Sequence, residues 1–173
     1  MPGKKKNPLW RSFGYAFAGI WTGIRKERNM KIHCTALLMV VIAGIAFRIT
    51  VSEWCICIVL CAFVMSLELV NTAVEAVVDL VSPNYHPLAK VAKDCAAGAV
   101  LVAALGAVGA AVFLFGDATR LSIALGIFVT TPWMWGLLAV ELIAAVVILL
   151  IPGKQSEHAA LFSNKHKSEK KEL

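Results

Sequence analysis

Long apolar runs separated by short polar breaks constrain this chain more than any other feature. Residues 32–47, IHCTALLMVVIAGIAF, form the first run, and residues 54–81, 91–115 and 133–151 form three more. A helix needs about 20 residues to cross the hydrocarbon core of a bilayer. The first run is slightly short, and Thr50 and Val51 are read as lengthening it. The apolar stretch at 121–129 is too short to cross as a helix. Hydrophobic residues make up 59% of the 173 residues and charged residues 16%, with a mean hydropathy of +0.75. Soluble domains run at roughly 45–50% apolar and about 25% charged. One core of this size could not hide so much apolar surface, so the composition excludes a disordered chain and disfavours an ordinary cytosolic globule. The fold class that remains is an all-α, polytopic membrane helix bundle.

The breaks are chemically distinct. Residues 82–88, SPNYHPL, carry two prolines and Asn84 and read as a turn. Gly116 and Asp117 interrupt the chain again, and Pro152-Gly153 closes the last run. In the third run Ala99, Ala103, Ala107 and Ala111 form a ridge of small residues against which another helix can approach closely. Ahead of the first run, Leu9, Trp10, Phe13, Phe17, Ile20, Trp21 and Ile24 fall within an arc of about 120° on a helix. Arg11, Tyr15, Thr22, Arg25 and Lys26 face elsewhere, the pattern of an amphipathic helix lying in the membrane interface. The opening MPGKKKNP is a basic tail, and no early apolar stretch follows it as a cleaved signal peptide would require.

The net charge is +6. The basic residues flank apolar runs, so they read as topology signals and anionic-lipid contacts. The tails lack aromatics interleaved with their lysines, which leaves nucleic-acid binding with little support. With both ends in the cytoplasm and four spans, fifteen Lys and Arg lie inside and only Arg48 and Arg120 outside. Three or five spans would put the five tail lysines on the wrong side. The five cysteines, Cys34, Cys55, Cys57, Cys61 and Cys95, include no CxxC pair and read as packing thiols.

The second run carries the chemistry. In SLELVNTAVEAVVDLVSP the polar residues Glu68, Asn71, Glu75, Asp79 and Ser82 share a helical arc of about 80°. A carboxylate in hydrocarbon is costly, so three on one stripe must face a bundle interior, water, a cation or another subunit. Interhelical hydrogen bonds that only fix packing are the plainer alternative. Glu27 ends the amphipathic helix at the level of Glu75 and Asp79, and Lys93 and Asp94 open the third run on the same side. Hard carboxylate oxygens at that face suit Mg²⁺, which keeps waters and binds phosphates as well. Lys93 can meet phosphate charge, or can simply snorkel to the interface. Neither GxxxxGK[ST] nor GxGxxG occurs, so a bound nucleotide would not sit in either Gly-rich cradle.

The segments ELVNTAVEAVVDLVSPNYHPLAKVAKDCAAGAVL and FGYAFAGIWTGIRKERNMKIH closely resemble the prokaryotic diacylglycerol kinase and undecaprenol kinase family, over roughly residues 10–115. The resemblance implies a small integral-membrane lipid kinase of the bacterial cell membrane. It implies three spans per subunit, a homotrimer with shared active sites, and transfer of the γ-phosphoryl of MgATP to a lipid hydroxyl at the cytoplasmic face. Carried over by position, it implies Glu68 as the catalytic base and Glu27 and Glu75 as ligands of Mg²⁺. Asn71 and Asp79 become supporting polar residues. Tyr15, Asn84, Tyr85, His86, Lys93 and Asp94 become nucleotide contacts, together with Glu27 and Glu75.

Residues 117–173 go beyond that resemblance. The expected organisation is a basic tail (1–8), a membrane lipid kinase domain (9–116), an additional membrane segment (117–153) and a polar Lys-rich tail (154–173). Glu141 lies mid-run and is read as structural, hydrogen-bonded within the bundle. Ala96-Ala97 stand where typical Gram-negative diacylglycerol kinases carry Gly-Ser, and RNMKIH and SPNYHPLAKVAKD look more like the Gram-positive undecaprenol kinase branch. The expected acceptor is therefore undecaprenol, with diacylglycerol as the alternative. A non-enzymatic bundle or small ion-coupled transporter would explain the acidic stripe but not Glu27, Lys93 and Asp94 gathered at one face. A reporter fused after Leu173 is expected to read as cytoplasmic, and an extracytoplasmic reading would reject four spans.

Overall fold

The computed structural model describes residues 9–150, and within them every regular element is helical. The elements are α1 (Leu9–Lys26), α2 (Arg28–Ala46), α3 (Val51–Val81), α4 (Pro87–Phe115), α5 (Ala118–Thr130) and α6 (Pro132–Leu150). The basic tail at 1–8, Pro152-Gly153 and the Lys-rich tail lie outside the described residues.

α1 is the expected amphipathic helix. Its aromatics Trp10, Phe13, Phe17 and Trp21 stay exposed, so nothing among the described residues covers them, as an interfacial helix requires. Its buried residue is Gly23, where a Cβ would come within 2.7 Å of the Leu69 side chain. The chain then turns at Glu27, the one non-helical residue between α1 and α2, in extended conformation (φ −96°, ψ 125°).

α2 ends in a tight reversal. Arg48 adopts a left-handed φ of 48°, its N–H donates to Ile45 O (3.2 Å), and Ile49 N–H donates to Gly44 O (3.1 Å). These two bonds satisfy carbonyls that the helix end would leave open. Thr50 then starts α3 with a capping box: its N–H donates to Glu53 Oε2 (2.7 Å) and its Oγ1 accepts from Glu53 N–H (3.4 Å). Thr50 and Val51 therefore belong to α3, and do not lengthen the first span. α2 gains its length at the other end, beginning at Arg28.

α3 and α4, with 31 and 29 residues, run for about 46 and 43 Å at 1.5 Å per residue. Both exceed the ~30 Å hydrocarbon core, and because Asp79, Lys90, Lys93 and Asp94 gather where they meet, that end is the one suited to project beyond it. They form the most extensive helix contact of the fold. The turn between them is shorter than SPNYHPL suggested, because Pro87 opens α4. Proline suits a first helical turn, where its missing N–H would have had no partner. His86 caps that turn, its Nδ1 accepting the Leu88 N–H (3.2 Å).

Gly116 closes α4, and Asp117 caps α5 by accepting the Arg120 N–H (2.8 Å). Arg120 also donates to Glu53 Oε1 (2.6 Å), tying the start of α5 to the start of α3. α5 and α6 meet at 97°. Ala124 and Met134 pack with Ile42 and Ala46 near the C-terminal end of α2. From there α6 can stay in contact with α2 only by running back along it, and the two pack extensively. Three helices, α2, α3 and α4, are long and apolar enough to cross a membrane, and the bent α5–α6 pair makes a fourth if taken as one span. Glu141 is buried on α6, but its Oε1 has no hydrogen-bond partner, so the bond expected of it is not made at that oxygen. The five cysteines are free.

At Gly44, α2 lies directly against the Trp54 side chain of α3. A Cβ there would lie 2.6 Å from Trp54 Cη2 and 3.0 Å from Ile49 Cδ1. Because an indole ring cannot bend away, Gly44→Ala is expected to destabilise the protein by about 1–3 kcal/mol, the usual range for overpacking. Denaturant unfolding in micelles would check this, and an unchanged midpoint would contradict the packing described.

Candidate active site

The acidic stripe of α3 runs from the packed interior to the projecting end. Glu68 is 1% exposed and Asn71 5%, Glu75 is half-buried, and Asp79 is exposed. Neighbouring positions engage each other as one helical face should. Asn71 Nδ2 donates to Glu75 Oε1 (3.2 Å), and Thr72 Oγ1 donates back to the Glu68 carbonyl (3.0 Å). Glu68 lies 17 residues into α3, or about 26 Å along it. That places it close to one border of the hydrocarbon core when the other border is at Val51. On the same placement Glu75 and Asp79, seven and eleven residues further along α3, fall beyond that border.

α2 runs antiparallel to α3 across the Arg48 reversal, which brings its first turn level with Glu68. Asn29 makes a side-chain hydrogen bond to the Glu68 carboxylate, and Glu27 and Glu75 are close enough to act on it electrostatically. Glu68 Oε2 is nonetheless buried without a partner. The Glu68 side chain lines a cavity of about 230 Å³ with Asn29, Ile32 and His33 of α2 and Ala97, Val100, Leu101 and Ala104 of α4. His33 and Ala104 also line a second, apolar cavity of about 180 Å³. It reaches deeper between the three helices past Ala36, Cys61 and Ala107. The two cavities thus share walls from the buried acid into the membrane interior. Of the alanine ridge, Ala107 and Ala111 line this deeper cavity and Ala103 is buried.

The projecting end holds a separate, open cleft of about 290 Å³. Asp79, Asn84, Tyr85, His86, Lys90, Lys93 and Asp94 are among its walls. Lys93 Nζ donates to Asp79 Oδ1 (2.5 Å), joining α4 to α3, and Lys90 Nζ donates to Asp94 Oδ2 (2.6 Å). Both pairs are largely solvated, where such bridges contribute little to stability. Their cations remain available to an anion. Asp79 is eleven residues beyond Glu68 on α3, about 16 Å of rise. The sequence-derived residues therefore fall into two groups within one chain: Glu27, Glu68, Asn71 and Glu75 in one, and Asp79, Asn84, Tyr85, His86, Lys93 and Asp94 in the other. Tyr15 joins neither; it is exposed midway along α1 and lines none of these three cavities. Among the described residues, no three or more His, Cys, Asp and Glu side chains converge as a self-sufficient metal centre.

Residues 14–115, spanning most of α1 through the end of α4, match the family model for prokaryotic diacylglycerol kinase. The chain belongs to that family. It is a lipid kinase, with a membrane lipid as acceptor and a nucleotide as co-substrate. It is 46% identical over 99 residues to an undecaprenol kinase of Bacillus subtilis, covering 57% of this chain and 80% of that protein. It is equally 46% identical over 98 residues to a diacylglycerol kinase of Synechocystis, covering 56% of each. A diacylglycerol kinase of Escherichia coli K12 is 31% identical over 98 residues, covering 57% of this chain and 80% of that protein. No solved structure matches the chain.

Three polar residues of the lipid kinase's cavities escaped the sequence reading of the site. Asn29 and His33 sit one turn apart on α2 and line the Glu68 cavity together; Lys90 lines the open cleft. The signal for the first pair was their four-residue spacing, which puts them on one helix face. Acidic residues drew the attention because only charge stands out in an apolar run.

Proposed function

We propose that this lipid kinase transfers the γ-phosphoryl of MgATP to the hydroxyl of undecaprenol, giving undecaprenyl phosphate. The observation that carries the reading is Glu68: a buried carboxylate with a free oxygen, at a cavity that shares His33 and Ala104 with an apolar one deeper between the helices. Burying a carboxylate is costly, so one that keeps an unpartnered oxygen beside a cavity is a candidate for chemistry. Here the base accepts the proton of the lipid hydroxyl, whose oxygen attacks the γ-phosphorus. The bond from that phosphorus to the β–γ bridging oxygen breaks, and ADP leaves. The deeper apolar cavity receives the hydrocarbon next to the hydroxyl.

Glu27 and Glu75 supply hard oxygens beside Glu68, a donor set that fits Mg²⁺ sharing its remaining positions with water and phosphate oxygens. Two carboxylates without a third ligand also suit an ion that arrives with its nucleotide. Bound there, Mg²⁺ supplies neutralisation of the phosphate charge that builds during transfer. Asn71 keeps the Glu75 carboxylate oriented through its hydrogen bond. In the open cleft, Lys93 and Lys90 meet phosphate charge, and Asn84, Tyr85 and His86 flank the nucleotide, with Tyr15 approaching from α1. Asp79 holds Lys93 until phosphate replaces it.

The choice of undecaprenol is supported by where the branch-marking residues fall. Asn29 and His33 of RNMKIH and Ala97 of Ala96-Ala97 all line the Glu68 cavity. The reading also draws on the undecaprenol kinase of Bacillus subtilis, of which the chain covers 80%. The diacylglycerol kinase of Synechocystis, equal in identity, favours diacylglycerol as the second reading.

A homotrimer is part of the proposal. The windows of α2, α3 and α4 that could cross a membrane are only 28%, 22% and 11% buried within one chain. Much of their surface is left for lipid or further copies. The ~16 Å between Glu68 and Asp79 along α3 is a distance that an adjacent subunit could help bridge. We further propose residues 9–116 as the lipid kinase domain and 117–153 as an added membrane segment. The reading places the chain in the bacterial cell membrane, with the projecting α3–α4 end and both tails in the cytoplasm.

Two experiments test this. In mixed micelles, undecaprenol should be phosphorylated faster than diacylglycerol; equal or faster turnover of diacylglycerol would overturn the acceptor and leave the kinase intact. Glu75→Gln should weaken MgATP binding as well as turnover, because a metal ligand acts on the bound ground state too. Glu68→Gln should lower kcat by about 10²–10⁴-fold, the usual worth of a general base, with little change in the KM for MgATP. Near-normal turnover of Glu68→Gln, or normal MgATP binding by Glu75→Gln, would reject these roles.

A further inference from the structure

The carboxylate of Glu68 has few means of being held. Its nearest polar neighbours on α3 are committed elsewhere: Thr72 Oγ1 donates to the Glu68 backbone carbonyl and Asn71 Nδ2 to Glu75. The α4 wall of its cavity, Ala97, Val100, Leu101 and Ala104, offers no polar side chain. Glu27 and Glu75 repel it when all three are ionised. On α2, His33 lines the same cavity, and Asn29, from the first turn, bonds the carboxylate.

We propose that Asn29 is the positioning residue of the acceptor site, holding one side of the Glu68 carboxylate so that the free oxygen meets the lipid hydroxyl. The inference rests on the reading of Glu68 as the base. A flexible glutamate at a cavity wall would otherwise sample several rotamers, and a proton transfer requires one geometry within hydrogen-bond reach. An amide suits the task better than a cation would. Asn carries N–H donors but no charge, so it fixes the carboxylate without neutralising it and without repelling a metal at Glu27 and Glu75. The backbone reinforces this. Asn29 lies two residues after the Glu27 corner, where α1 ends and α2 begins, so its position is tied to the chain segment that carries a proposed metal ligand. Base and metal site are thereby referred to the same corner of the fold.

The test is a double-mutant cycle in mixed micelles, using whichever of undecaprenol and diacylglycerol the protein phosphorylates faster. Asn29→Ala should lower kcat about 10- to 100-fold, the worth of one hydrogen bond to a charged group, with the KM for MgATP unchanged. Asn29→Ser keeps a hydroxyl donor and should fall between Asn29→Ala and the parent; it also carries the test should the alanine variant fail to fold. Combining Asn29→Ala with Glu68→Gln should cost no more than Glu68→Gln alone, because a positioning residue has nothing left to position. Parent-like kcat in Asn29→Ala, a loss seen only in the KM for MgATP, or losses that multiply in the double variant would each overturn the proposal. Parent-like turnover in Glu68→Gln alone would instead reject the base, which separates failure of this inference from failure of the reading beneath it.

Discussion

A carboxylate at the edge of a hydrocarbon core is the constraint around which this fold is arranged. Glu68 is almost wholly buried, and an ionisable group in such surroundings costs several kcal/mol unless something compensates. Part of the compensation comes from the arrangement of neighbours. α3 extends past the membrane border so that the stripe continues into water through Glu75 and Asp79. α2 begins on the same level and supplies Asn29. The α4 wall is built of alanines and aliphatics, which leaves space beside the acid.

Helix length does the second part of the work. α3 and α4 are roughly half again as long as the hydrocarbon core they cross, so their junction forms a polar head on an apolar stem. That geometry suits a reaction between a water-soluble nucleotide and a membrane alcohol, because each substrate can approach from its own phase. On the proposed reading, the open cleft with its lysines faces the first phase and the paired cavities below Glu68 the second. The acids between them lie at the boundary where phosphate charge would need neutralising, and positioning with charge neutralisation is most of what phosphoryl transfer asks of a protein.

Much of this was legible in the sequence, for physical reasons. The acidic stripe is visible because charge in an apolar run has no trivial explanation, and the α3–α4 turn because its prolines announce it. The gathering of Asn84, Tyr85, His86, Lys93 and Asp94 into one cleft follows from that turn joining two antiparallel helices. The helix starts were less legible. Pro87 can end a turn or open a helix, and Thr50 reads as apolar filler until Glu53 is seen to complete its capping box. Asn29 and His33 were hidden because neutral polar residues near a membrane border are ordinary, and only the packing of α2 on α3 gives them a target. The 97° bend at Thr131 follows no local rule beyond Pro132, whose ring disfavours helix at the residue before it.

The α5–α6 pair is instructive because it lies outside residues 14–115, the part that matches the family. It docks through Met134 and Ala124 on Ile42 and Ala46 and is tied down by Arg120 on Glu53, all near the Arg48 reversal. Ile42 is thirteen residues from Asn29 along α2, about 20 Å of rise. An addition anchored so far from the acids leaves the chemistry of α1–α4 undisturbed at its point of attachment. What it does change is the surface of α2, one side of which is now covered by protein instead of lipid. Any association of these chains must therefore use the faces of α3 and α4 that remain open, or accommodate α6 beside α2. Glu141 is buried on α6 with its Oε1 unpartnered, a desolvation cost that the packing of the extension has to offset.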